Sequence, residues 1–182
     1  MILTDLIQYF AKYPDRTGVL KLFSRSTSTV TGYAALKSYI EALAAPLNPE
    51  IKDFLVSTDE TVIADRIRSA SSFFMLLEYA GLTSTAPNKA YIRDSVFNLS
   101  VIIAHPANKS GRDLAEEQLI MDQALTTITS IAKQMDSDNK ELCSHLRFMP
   151  GGVSIAPIEP LMMYGCIGWA LTFTKSEPLF NA

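Results

Sequence analysis

The stretch SIAPIEPLMMYGCIGWALTFT, residues 154 to 174, contains a mostly apolar run from Leu161 to Phe173. Such a run has to be buried, and its length limits how. Crossing a bilayer as a helix takes about 20 consecutive apolar residues, whereas Glu159 and Lys175 bound this one. Pro157 and Pro160 precede it and Gly165 and Gly168 lie inside it; proline removes a backbone donor, and glycine costs about 1 kcal/mol in a helix interior. Strands joined by a turn remain. In CIGWALTFT, Ile167, Trp169, Leu171 and Phe173 fall on one face. The other face, Gly168, Ala170, Thr172 and Thr174, is small enough to let another backbone or helix come close. GGVSIAPIEP supplies the preceding extended segment. Between the two, Leu161, Met162, Met163 and Tyr164 form a Met-rich turn. It reads either as core filling or as a subunit interface, because methionine adapts to irregular surfaces.

Strands need partners, and the chain offers two more. SSFFMLLEYAG, residues 71 to 81, has the aromatic and branched content of a strand buried on both faces. After the polar loop LTSTAPNK, the segment YIRDSVFNLSVIIAH alternates Phe97, Leu99, Val101 and Ile103 with Asn98, Ser100 and Ile102, the pattern of a strand with one core face. Antiparallel neighbours are the economical arrangement. The period then changes. In KSGRDLAEEQLIMDQALTTITSIAKQM, Leu114, Met121, Leu125, Ile128, Ala132 and Met135 stand three, four or seven apart, and Asp113, Glu116 and Glu117 sit where the positive end of a helix dipole favours them. One long helix is predicted, followed by an exposed connection, DSDNKELCSHLR.

Upstream, Leu3, Leu6, Ile7 and Phe10 recur at helical spacing, SRSTSTVTG reads as a loop, and Tyr33, Leu36, Ile40 and Leu43 mark a helix from about Thr31 to Ala45 that PLNPE ends. Ser57 and Glu60 are spaced as a capping box for a short helix through roughly Arg68. GVLKLF, residues 18 to 23, reads as a further short strand. No repeat or long linker divides the chain. The expectation is one α+β domain over residues 1–182, with a helical N-terminal part (1–70) and a sheet-plus-helix core (71–174). Its sheet is mostly antiparallel with about four strands; the long helix packs on one face, and additional N-terminal helices cover what remains.

Composition narrows the function classes. Of 182 residues, 48% are apolar and 19% charged, with a mean hydropathy of +0.14, a balance that favours some apolar surface covered by partner subunits. The net charge is -3 with a pI near 5.4, and the lysines and arginines are scattered. That disfavours specific nucleic-acid binding but suits a wall past which nucleic acid slides without sticking. MILTDLIQYFAKYP carries Asp5 early and has neither a basic leader nor a small-residue cleavage site, so it does not read as a signal peptide. Two cysteines, Cys143 and Cys166, are too few for a disulfide scaffold and suit a reducing cytoplasm.

Candidate chemistry is sparse. Cys143 and His145 are two apart, a spacing that points side chains away from each other on a helix. With Cys166 and His105 they offer zinc-ligand atom types but no paired spacing, and His105 by itself reads as a solvent-facing imidazole at a strand end. Glu116 with Glu117 and Asp136 with Asp138 read as solvated charges. Pro150-Gly151-Gly152 lacks the lysine and hydroxyl of a phosphate loop. No catalytic residue, cofactor or metal is expected; the enzymatic or small-molecule-binding alternative rests on Cys143, His145 and His105 alone.

The order of these segments resembles a known family. FFMLLEYAG, RDSVFNLSVIIAHP, a long helix, an I-x-P-I-E-P type strand and a G-W-A-L-T-F type strand follow one another as in the tail-terminator (tail-completion, or neck) proteins of bacteriophages, particularly phages and prophages of Bacteroides-like hosts. The likeness covers about the last two-thirds of the chain. The first 50 residues differ from the family's short N-terminal helix by VLKLFSRSTSTVTGYAALKSYI. The resemblance implies a virion protein, assembled in the host cytoplasm, that forms a homo-oligomeric ring, commonly a hexamer. Such a ring caps or joins the tail tube and leaves a channel for DNA as non-specific cargo. Other tail or neck proteins would be its partners, with no membrane involved, and Leu161, Met162, Met163 and Tyr164 a possible interface. A subunit of a phage-like contractile secretion apparatus is the related alternative.

Overall fold

In the computed structural model, residues 2–56, 60–85, 94–106, 113–141, 153–159 and 165–178 are described. Along the chain run α1 (Ile2–Phe10), α2 (Arg16–Leu20), α3 (Tyr33–Glu41), β1 (Asp53–Val56), α4 (Glu60–Ser69), β2 (Phe74–Thr85), β3 (Asp94–Pro106), α5 (Leu114–Glu141), β4 (Ser154–Pro157) and β5 (Cys166–Pro178). The fold is α+β. Its sheet has five strands in the order β1-β2-β3-β5-β4, antiparallel except where β1 pairs with β2. That parallel pair follows from α4, which carries the chain back across the sheet between them.

Two clusters hold the layers together. On one face, Leu6 and Phe10 of α1 and Ala124, Ile128, Ile131 and Met135 of α5 pack on Phe54, Met75, Leu77, Leu99, Val101, Ile103, Leu171 and Phe173. On the other, Ile67 of α4 packs with Leu55, Phe74, Leu76, Ile102, Ala104 and Cys166. Each of the buried leucine, isoleucine, valine, methionine and phenylalanine side chains among them contributes about 1.5–3 kcal/mol.

Several expectations change. β1, within the part expected to be helical, is an added strand, too short for its four residues to show a period. The strand expected at 18–23 is instead α2: Asp15 caps it by accepting from the Thr17 amide at 2.9 Å, and Gly18 lies so close to β1 that a Cβ would sit 2.2 Å from the Lys52 carbonyl oxygen. β3 buries both faces, since Ile102 and Ala104 lie under α4 while Leu99, Val101 and Ile103 face α5. β2 runs on into the expected loop as far as Thr85, which pairs with Asp94 at the start of β3. α5 starts where Asp113 accepts from the Glu116 amide at 2.7 Å and continues through DSDNKE. Its first turn carries no core residue, so Leu114, expected on the buried stripe, is 80% exposed. Ser57 of the capping box lies outside the described residues.

Candidate assembly surface

The register exposes a change of width in the sheet. β1 pairs with β2 only from Phe74 to Leu77, and β4 pairs with β5 only from Trp169 to Thr172. Those limits fall at nearly the same level, because Leu77 pairs with Val101, which pairs with Leu171. Beyond it β2, β3 and β5 continue together to Thr85, Asp94 and Pro178, roughly 25 Å at about 3.3 Å per residue. A five-stranded body thus narrows to a three-stranded ribbon. Among the described residues, neither the outer edge of β2 beyond Leu77 nor that of β5 beyond Thr172 has a strand partner. A register shift between Tyr79 and Gly81 adds twist at the base of the ribbon.

The faces of the ribbon differ. Among the described residues, the apolar cluster on the side shared with α4 extends as far as Leu76, Ile102 and the partly buried Ala170. The next row is Glu78, Ser100, Thr172 and Ser154, followed by Asn98 beside Thr174. Every side chain there is polar, none is cationic, and Ser100 is buried. Burial pushes the Glu78 carboxyl above the ordinary carboxylate range. On the opposite side Tyr79 and Phe173 continue the main core. The Tyr79 hydroxyl is buried without a hydrogen-bond partner, and burial pushes it up to about 12.

α1 is fixed to the far end of α5 by a polar cluster. Tyr9 Oη donates to Asp138 Oδ2 at 2.7 Å, Lys12 Nζ pairs with the same oxygen, and Tyr13 Oη donates to Tyr9 Oη at 3.3 Å. The Lys12 ammonium also lies 3.9 Å from the Tyr9 ring centroid, a cation–π contact. Partial burial raises the Asp138 carboxyl, but hydrogen bonds from Lys12, Tyr9 and Gln134 outweigh it and hold the group below the usual range. Burial, chiefly, raises both tyrosines. Asp138 therefore belongs to a helix clamp, not to the solvated loop expected for it.

The other candidates separate. His105 contacts the Phe73 ring edge-on, with centroids 5.0 Å apart, and its Nδ1 lies 2.9 Å from the Pro106 carbonyl oxygen. Cys166 is buried in the cluster under α4, and alternation along β3 and β5 puts the two on opposite faces. Cys143, His145, Gly151, Gly152 and the turn Leu161, Met162, Met163 and Tyr164 lie outside the described residues. Among those described, no group of three metal-ligating side chains occurs. A cleft of about 570 Å³ beside β1 sets Lys21 and Arg66 against Asp53 and Asp65, a balanced set in which Lys21 pairs with Asp53. No described helix is long and apolar enough to cross a membrane.

Sequence reasoning found the central strand of the ribbon but missed the extension of β2 through Thr85 and of β5 through Pro178. The one available signal for the former was the run of threonine and serine after Gly81, which suits an exposed strand as well as a loop. No protein-family model matches the chain, and no curated protein is significantly similar to it.

Proposed function

We propose that this chain is a structural subunit of a ring around a nucleic-acid channel, of the kind found at the end of a phage tail or at the head–tail neck. The observation that carries the reading is the ribbon's polar face. Glu78, Asn98, Thr172 and Thr174, half-buried or exposed around the buried Ser100, present hydroxyl, amide and carboxylate groups with no cation among them. A wall of this kind offers no counterion-releasing contact to a phosphate backbone, so nucleic acid passes without being held. The core helices α1 and α5 lie on the opposite face, where they would form the outside of such a ring. The exposed Leu114 and Leu119 of α5, with 80% and 71% of their surface accessible, supply apolar area for a neighbouring subunit or an axial partner.

Native mass spectrometry with negative-stain microscopy tests the reading. A discrete closed ring with a central opening is expected. A strictly monomeric protein at high micromolar concentration would overturn it. Salt provides a second measure: affinity for duplex DNA should be negligible even at low ionic strength, and tight, steeply salt-dependent binding would contradict a wall without cations.

A further inference from the structure

We propose that the cleft beside β1 binds a small organic acid carrying one carboxylate on a compact apolar or aromatic body. The site goes beyond the ring reading and does not depend on it. At about 570 Å³ the cleft falls within the roughly 300–1,000 Å³ of small-molecule sites. Three parts of the body line it. β1 supplies Asp53 and Leu55, α4 supplies Asp65 and Arg66, and the turn that ends α2 supplies Lys21 and Phe23. Their mutual contacts fix its outline. Arg66 Nη2 donates to the Lys21 carbonyl oxygen at 3.2 Å, which ties α4 to the end of α2. Tyr33 Oη donates to the Arg25 carbonyl oxygen at 2.7 Å, and the Tyr33 ring meets that of Phe23 edge-on with centroids 5.3 Å apart, so the turn is held as well. A cleft already tied in this way loses little of a ligand's binding energy to ordering.

Charge decides the ligand. Lys21 pairs with Asp53, and Asp65 pairs at 3.4 Å with Arg68. Arg66 is the exception in the lining: among the described residues no carboxylate lies within ion-pair distance of it. Its bond to the Lys21 carbonyl uses one guanidinium N–H and leaves the others available. Arg66 is also half-buried, so water solvates it incompletely. A planar fork of N–H donors matches a carboxylate, which accepts two parallel bonds from it. A dianion such as a phosphate monoester fits worse, because Asp53 and Asp65 repel its second charge. Phe23, half-buried in the same lining, gives the apolar part of the acid a surface to cover.

Phenylacetate is the probe, titrated into the full chain while backbone amide shifts are followed by nuclear magnetic resonance. Millimolar binding is expected, with shifts concentrated at residues 21–24, 53–55 and 65–69. Phenylacetamide has the same shape without the charge and should bind about tenfold more weakly, the effect of one lost charge-assisted contact. Phenyl phosphate, as its dianion, should also bind more weakly than phenylacetate. Arg66→Met keeps the apolar stem and should weaken phenylacetate about tenfold, and Arg66→Lys should restore part of the loss. The comparison of acid with amide uses the unmodified chain, so it stands whatever the variants do to folding. No shift at these residues at tens of millimolar phenylacetate would overturn the site. Equal affinity for acid and amide would overturn carboxylate recognition, and tighter binding of phenyl phosphate would overturn the preference for a single charge. Undiminished binding by a folded Arg66→Met chain would overturn Arg66 as the anchor.

Discussion

Body and ribbon are built from the same three strands, yet they satisfy different requirements. In the body, Met75, Leu77, Val101, Ile103 and Leu171 meet α1 and α5 on one side while Phe74, Leu76, Ile102 and Ala104 meet α4 on the other. The sheet there is covered on both faces and flanked on both edges. Among the described residues of the ribbon the strands keep their ladder but lose the flanking strands and, on one face, the apolar cluster. Stability per residue is therefore concentrated in the body, while the ribbon's outer edges have no strand partner among the described residues. A segment can remain ordered by pairing alone while still offering a partner most of what it has to offer.

The largest expected effect tests where the stability resides. Phe10 is fully buried and its ring lies 5.9 Å from that of Phe173, so Phe10→Ala should cost about 3–5 kcal/mol in denaturant unfolding. Thr172→Ala, exposed at the base of the ribbon, should stay within about 0.5 kcal/mol. Comparable losses from the two would erase the distinction. Next comes Gly168, on β5 within the body, where a Cβ would meet the Ile103 carbonyl oxygen at 2.1 Å and the Ala104 Cα at 2.7 Å. Those neighbours are backbone and cannot swing aside, so Gly168→Ala should cost about 1–3 kcal/mol. An unchanged unfolding midpoint would mean that β3 and β5 separate readily there.

The clamp between α1 and α5 gives a pH-dependent effect. Asp138 is held below its ordinary range in the folded chain, so its contribution is present above the unfolded carboxylate value of about 3.9 and is lost as pH falls through the lower folded value. Asp138→Asn should cost about 1–2 kcal/mol at pH 7 through the hydrogen bonds to Lys12 and Tyr9. The gap from the unmodified chain should narrow as pH falls below the unfolded carboxylate value and through the lower folded one. A constant gap across that range would show that the clamp works by shape and not by charge.

What the sequence revealed divides along the same line. The 3.6-residue period of Ile128, Ala132 and Met135 and the alternation of Leu171 and Phe173 are signatures of burial, so the body was legible. The ribbon was legible in β3 but not in the extension of β2: alternating burial weakens where one face is polar, and LTST suits a loop as readily as a strand. Asp138 was misread for a related reason, because a polar residue on a helix declares its partner only when a distant segment, here Tyr9 and Lys12, is brought to it. Leu114 shows the converse, an apolar residue in correct phase on a turn that never reaches the core.

The smallest effect lies where body and ribbon meet. Tyr79 packs against the main core, but its hydroxyl is buried with no partner, and an unsatisfied buried hydroxyl costs about 1–3 kcal/mol. Tyr79→Phe removes that cost along with one favourable polar atom and should leave stability equal or raise it by up to about 1 kcal/mol. It should also alter the alkaline limb. Burial raises the phenol from 10.0 to about 12, so the native residue's contribution is complete below about pH 10 and declines as pH rises toward 12, whereas phenylalanine does not titrate. If Tyr79→Phe instead destabilises the isolated subunit, the hydroxyl is satisfied there by water or another group. If it is neutral in the subunit but weakens the assembled ring, the missing partner belongs to the neighbour, and the boundary between body and ribbon is itself a subunit contact.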